Sequence, residues 1–99
     1  MLKTKKFDVA DHLDGREIIA AYLTEAFESN DPAFISLAIR TVARSKGMAR
    51  VAKDADISRE SLYKSLNGQS KPEFETIRKV LTALGIKLVA EPIDNPKAA

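Results

Sequence analysis

Met48-Ala49-Arg50-Val51-Ala52-Lys53-Asp54-Ala55-Asp56-Ile57-Ser58-Arg59-Glu60-Ser61-Leu62-Tyr63-Lys64-Ser65-Leu66-Asn67-Gly68 is the stretch whose reading decides the fold. Met48, Val51, Ala52 and Ala55 keep helical spacing for two turns, and Asp56-Ile57 then interrupts. Ser58 is placed to cap a second short helix with Leu62 and Leu66 on one face. Two short helices meeting at a steep angle need a small residue where they touch, which Ala52 supplies. The corner needs an apolar plug, Ile57, and a residue that tolerates left-handed dihedrals, Asp56. The second helix then turns Arg59, Glu60, Tyr63 and Lys64 outward, a long, polar and largely basic face of the kind that enters a DNA groove. This spacing predicts a helix-turn-helix over about residues 48–67.

Upstream, Ile19, Tyr22, Leu23, Ala26 and Phe27 form one apolar stripe, which predicts a helix capped by Asp14 and running through Ser29. Asn30-Asp31-Pro32 stops that helix and starts another, since Asp31 can accept from orphan amides and Pro32 suits the first helical position. The second helix runs to about Lys46, with Ile35, Ala38, Ile39 and Val42 inward. Phe34 and Leu37 widen its face, and Gly47 ends it. Downstream, Gln69-Ser70-Lys71-Pro72 reads as a polar loop. A last helix, Glu73 to Leu84, carries Phe74, Ile77, Val80, Leu81 and Leu84 inward and stops at Gly85. Ile86, Lys87, Leu88, Val89 and Ala90 read as a short strand with no second strand to pair with in this chain.

The expected architecture is therefore all-α, with five helices and a short C-terminal β-strand. A single domain spans residues 14–90, preceded by an N-terminal arm (1–13) and followed by a mobile tail (91–99). A chain of 99 residues supports one core of this kind and not two. No apolar run is long enough to span a bilayer, and the basic N-terminus lacks the apolar segment of a signal peptide, so the expectation is a cytoplasmic protein with no membrane partner. With no cysteine and a single histidine, His12, the chain has no thiolate metal site or cysteine nucleophile. No catalytic triad or phosphate-binding loop is visible, so no enzyme activity, metal or cofactor is expected.

The net charge of +2 conceals an uneven distribution. Residues 1–33 carry four Lys/Arg against seven Asp/Glu, a net of −3, whereas residues 40–79 carry ten against five, a net of +5. The basic half suits a polyanion and the acidic half suits something else.

Three runs, Arg44-Ser45-Lys46-Gly47-Met48, Ser58-Arg59-Glu60-Ser61-Leu62-Tyr63 and Ala83-Leu84-Gly85-Ile86-Lys87-Leu88, resemble the "probable addiction module antidote" family of HigA-like antitoxins. The helix pair itself looks like the helix-turn-helix of the lambda-repressor and Cro superfamily. The likeness extends over nearly all of residues 7–90, with one departure: the turn position that is usually glycine in that superfamily is Asp56 here.

The resemblance implies an antitoxin that neutralises a co-encoded RelE/HigB-like ribonuclease toxin and represses its own operon by binding double-stranded operator DNA. It places Ser58, Arg59, Glu60 and Lys64 toward the major groove, with Arg59 the best suited to reading guanine and Tyr63 able to meet backbone or a thymine methyl. Arg50, Ser61, Asn67, Ser70 and Lys71 are placed to position phosphates, and Arg40, Arg44, Lys46 and Lys53 are further basic candidates. Reading an inverted repeat requires a homodimer, which Ile86, Leu88 and Val89 could seal by strand pairing. The acidic residues Asp11, Asp14, Glu17, Glu25 and Glu28 are the expected toxin contacts. A free-standing phage-type regulator would share the same DNA site without a toxin partner.

Overall fold

The computed structural model describes residues 8–94. A 3-10 turn, Val9–His12, precedes five helices: α1 (Arg16–Glu28), α2 (Pro32–Lys46), α3 (Met48–Ala55), α4 (Arg59–Ser65) and α5 (Phe74–Ala83). α1 packs on α2, α2 also receives the 3-10 turn, and α3 sits between α2, α4 and α5. The apolar stripes converge on one core, in which Leu23, Ile39, Val42, Val51, Leu62, Leu66, Val80, Leu81 and Leu84 are all but inaccessible. No helix among the described residues is long and apolar enough to cross a membrane.

Local chemistry sets most of the boundaries. The Asp31 carboxylate accepts from the amides of Ala33 and Phe34 at 3.1 and 3.4 Å, with Pro32 opening α2. Gly47, at φ 102°, separates α2 from α3. Asp56 closes α3 in the left-handed conformation, φ 59° and ψ 45°. Around it the Ile57 amide donates to the Ala52 carbonyl and the Asp56 amide to the Lys53 carbonyl, the paired closure that usually places glycine at the left-handed position. Gly85 closes α5 by the same pattern, through the amides of Ile86 and Gly85 to Leu81 and Thr82. Gly68, at φ 83°, lies against Leu37, and a Cβ there would stand 3.2 Å from Leu37 Cγ.

Several expectations are corrected. Asp14 does not cap α1: the N-cap is Gly15, with no side-chain hydrogen bond. Phe74 is 69% exposed, because it stands in the first turn of α5 at the margin of the inward stripe. Phe34 and Leu37 are also largely exposed, since no helix covers that side of α2. The C-terminal strand does not form. Residues 86–93 carry no regular secondary structure, since no neighbouring strand among the described residues takes up their backbone bonds. Of the expected arm, residues 1–7 lie outside the described residues, while residues 8–13 make contacts with the bundle. Asp8 caps the 3-10 turn through the Ala10 amide (3.1 Å) and binds Arg44 of α2 by two hydrogen bonds of 3.1 and 3.2 Å, while Leu13 is buried.

Two predictions follow from these contacts. Left-handed backbone strain and a negative charge at a helix C-terminus both weigh against Asp56. Asp56→Gly should therefore raise unfolding free energy by up to about 1 kcal/mol, Asp56→Asn should recover only the charge part, and Asp56→Val should cost about 1–2 kcal/mol, all read by urea denaturation. The Arg44 guanidinium, helped by the Ala10 amide, holds the Asp8 carboxyl below its ordinary value. The folded chain thus binds that proton less readily than the unfolded one, so the pair's contribution is complete above the ordinary carboxylate range and is lost as pH falls through the lowered value. The stability difference between wild type and Asp8→Asn, measured from pH 7 down to pH 3, should shrink steadily with acidification. A constant difference would show that the ion pair does not dock the turn.

Candidate nucleic-acid interface

α4 has only seven residues, and the sequence around it decides what it presents. Ser58 caps it: its Oγ accepts from the Ser61 amide at 2.9 Å while its hydroxyl donates to Ser61 Oγ at 2.9 Å. Leu62 and Leu66 are 0% exposed and fix the helix to the core. Leu62 apart, residues 58–64 are all exposed, so Ser58, Arg59, Glu60, Ser61, Tyr63 and Lys64 are open to solvent around the part of α4 that the core leaves uncovered. Glu60 lies in the first turn of α4, where a carboxylate is favoured by the helix dipole.

The loop after α4 has a different task. The Asn67 side-chain carbonyl accepts from the amides of Gln69 and Ser70 at 2.8 and 2.9 Å, and the Ser70 hydroxyl donates to the Lys64 carbonyl at 2.9 Å. Asn67 and Ser70 therefore shape the turn that ends α4, and Lys71 stands exposed just beyond it. Arg50 is highly exposed on α3 and lies 3.9 Å from Asp54, one turn on. Lys46 and Lys53 are exposed, whereas Arg44 is engaged by Asp8.

One element of the surface was understated by sequence reasoning. The Arg59 guanidinium carbon lies 5.8 Å from the centroid of the Tyr63 ring, and Arg40, from α2, lies 5.9 Å from the same centroid. Arg40 is separated from Tyr63 by more than twenty positions, and nothing in local spacing links them. A basic residue on the exposed margin of α2 was the only signal available. Tyr63 is 37% exposed, so part of its ring is covered and part remains open to a ligand.

The acidic candidates occupy other parts of the molecule. Asp11 is on the 3-10 turn and Asp14 follows it, while Glu17, Glu25 and Glu28 recur at helical spacing along the exposed side of α1 beside Ile18, itself 49% exposed. α1 packs chiefly on α2 and α4 on α3, so these acidic residues and the α4 face belong to different helices of the bundle. Ile86 is half-buried, but Leu88 and Val89 are exposed, and their segment borders a cleft of about 540 Å³ that is also lined by Glu17, Leu23 and Phe27 of α1. Among the described residues no group of three or more His, Asp or Glu side chains gathers as a metal site would require.

No solved structure is significantly similar to the chain. It is similar to an uncharacterized protein of Haemophilus influenzae, 43% identical over 83 residues that cover 84% of this chain and 86% of the relative. The sequence model of the family described as "probable addiction module antidote protein" matches residues 3–92. The chain, from the 3-10 turn through the segment that follows α5, belongs to the addiction module antidote protein family.

Proposed function

We propose that this antidote is also a DNA-binding repressor, in which α3 and α4 form a helix-turn-helix of the lambda-repressor and Cro kind and α4 enters the major groove. The observation that carries the reading is the division of α4. Leu62 and Leu66 are wholly buried, while Arg59, Glu60, Tyr63 and Lys64 are exposed together. A short, rigidly held helix with a long polar outer face suits base edges in a groove about 12 Å wide. Arg59 supplies the fork that matches two acceptors of guanine, and Lys64 a point charge for a base or a phosphate. Ser58 and Glu60 stand on the groove side with them, Ser61 and Lys71 flank the helix as phosphate contacts, Arg50 does so at the cost of its Asp54 pairing, and Asn67 and Ser70 act by shaping the loop.

Two copies are required to read an inverted repeat in successive major grooves, about 34 Å apart. The exposed Leu88 and Val89, with Ile86 at their base, offer apolar surface for that homodimer. An antidote family implies a toxin. A RelE/HigB-like ribonuclease, which must carry a basic surface to hold RNA, is the partner that the acidic residues Asp11, Asp14, Glu17, Glu25 and Glu28 suit best. Repression of the operon that encodes both proteins is then the natural regulatory consequence of one chain holding both sites.

Binding of the purified protein to the DNA upstream of its own gene tests the first half. Tight, salt-dependent binding is expected, with Arg59→Ala costing about 1–3 kcal/mol on that DNA and much less on an unrelated duplex. A half-site bound as tightly as the full inverted repeat would refute the dimer. For the second half, the protein is captured on the product of the adjacent gene. The Glu17→Lys, Glu25→Lys, Glu28→Lys variant should bind it about tenfold more weakly at low salt while keeping wild-type affinity for DNA. Unchanged capture would remove α1 from the toxin contact.

A further inference from the structure

Of the six arginines of this chain, Arg16 opens α1 with no ion pair among the described residues, and the other five divide in an informative way. Arg44, Arg50 and Arg78 have carboxylate partners in Asp8, Asp54 and Glu75. Arg40 and Arg59 have none among the described residues, and instead share the ring of Tyr63, with guanidinium carbons 5.9 and 5.8 Å from its centroid. Two guanidinium groups gathered on one ring repel each other. The ring's electron-rich faces offset part of that repulsion, and neither guanidinium has a carboxylate within ion-pair distance among the described residues. Such an arrangement suits an anion. Arg40 reaches the ring from α2 and is only partly buried, next to a small cleft that it lines with Leu37, Thr41 and Arg44.

We infer that Arg40 and Arg59, gathered by Tyr63, form a phosphodiester-binding site at the margin of α4, in which Arg40 takes a backbone phosphate of DNA and Tyr63 acts as a positioning residue for Arg59. This deepens the DNA-binding reading and rests on it. It assigns to α2 a direct part in the DNA surface and divides the work between the two arginines. Arg40 adds affinity without regard to sequence, because a phosphate carries no base identity. Arg59 is left free to present its fork to a base edge, with its swing limited by the ring it lies on. A guanidinium held in advance loses less freedom on binding than one that is not, and Tyr63 would therefore contribute to sequence discrimination without contacting a base itself.

The proposal separates the two residues by different readouts, measured on the full chain with a duplex from its own upstream region and an unrelated duplex of equal length at four salt concentrations. Arg40→Ala should weaken both duplexes alike and lower the slope of log affinity against log salt by about 0.9 per protomer, about 1.8 for the homodimer, so that its deficit shrinks roughly twelvefold between 50 and 200 mM salt. Arg40→Lys should restore the slope. Tyr63→Ala should narrow the preference for the upstream duplex while leaving the salt slope near that of wild type, and Tyr63→Phe should keep the preference. Thermal unfolding of each variant serves as the control, since a folding defect would lower the melting temperature and weaken every readout together. Wild-type binding with an unchanged slope in Arg40→Ala would overturn the phosphate role and leave the DNA reading standing. Absence of any preference for the upstream duplex in the wild type would overturn both. Loss of capture on the adjacent gene product in Arg40→Ala, with DNA binding intact, would assign the arginine pair to an acidic protein instead.

Discussion

Leu62 and Leu66, one turn apart and fully buried, are the contact on which the rest of the arrangement depends. A helix of seven residues is far below the length at which helices are stable on their own in water, so α4 exists because those two side chains are removed from it. Each fully buried leucine contributes roughly 1.5–3 kcal/mol through its apolar surface. The burial does more than stabilise the helix. With side chains spaced at 100° per residue, committing positions 62 and 66 to the core turns positions 60 and 64 outward and leaves 59 and 63 on the flanks, where Arg59 and Tyr63 are nonetheless exposed. The polar face of α4 is thus a geometric consequence of the core.

The corner before α4 and the loop after it serve the same end by different chemistry. At the first, a left-handed Asp56 turns the chain within two residues, and the Ile57 amide satisfies a carbonyl of α3. At the second, the Asn67 side chain accepts from two amides and the Ser70 hydroxyl donates to the Lys64 carbonyl. Both ends of a very short helix are therefore closed by specific bonds. On the proposed reading this is what lets so small an element hold Arg59 and Lys64 at fixed positions. Rigid supports matter here because a guanidinium that is an ångström out of place loses one of its two base contacts.

Much of this was legible from residues close together in the chain. Asp31-Pro32, Gly47, Asp56, Ser58 and Gly85 each act on backbone groups within five positions, and they mark six of the ten ends of the five helices. What was hidden depends on distance in sequence. Asp8 and Arg44 are 36 residues apart, and neither end announces the other. Arg40 meets Tyr63 only because α2 and α4 share a core. Phe34 and Phe74 match their helical stripes but find no neighbour to cover them, since periodicity gives direction and not the presence of a partner. Residues 86–90 show the same limit from the other side: strand composition is a local property, whereas a strand is a pairing.

The small net charge of the chain takes on meaning once its positions are known. Had the positive and negative groups been interspersed, most would neutralise one another at the surface, as Arg78 and Glu75 do on α5. Instead the carboxylates Glu17, Glu25 and Glu28 recur along α1 without an arginine or lysine partner among the described ion pairs, and Arg40 and Arg59 gather around Tyr63 without a carboxylate. Leaving like charges together weakens a fold through self-repulsion, so a chain with so few residues to spare has reason to do it only where an outside partner supplies the opposite sign. The bundle keeps the two groups on different helices, which allows a polyanion and a basic protein to be held without competing for the same side chains. On the proposed reading, an antidote that answers both to a toxin and to its own gene needs that separation more than it needs a large surface.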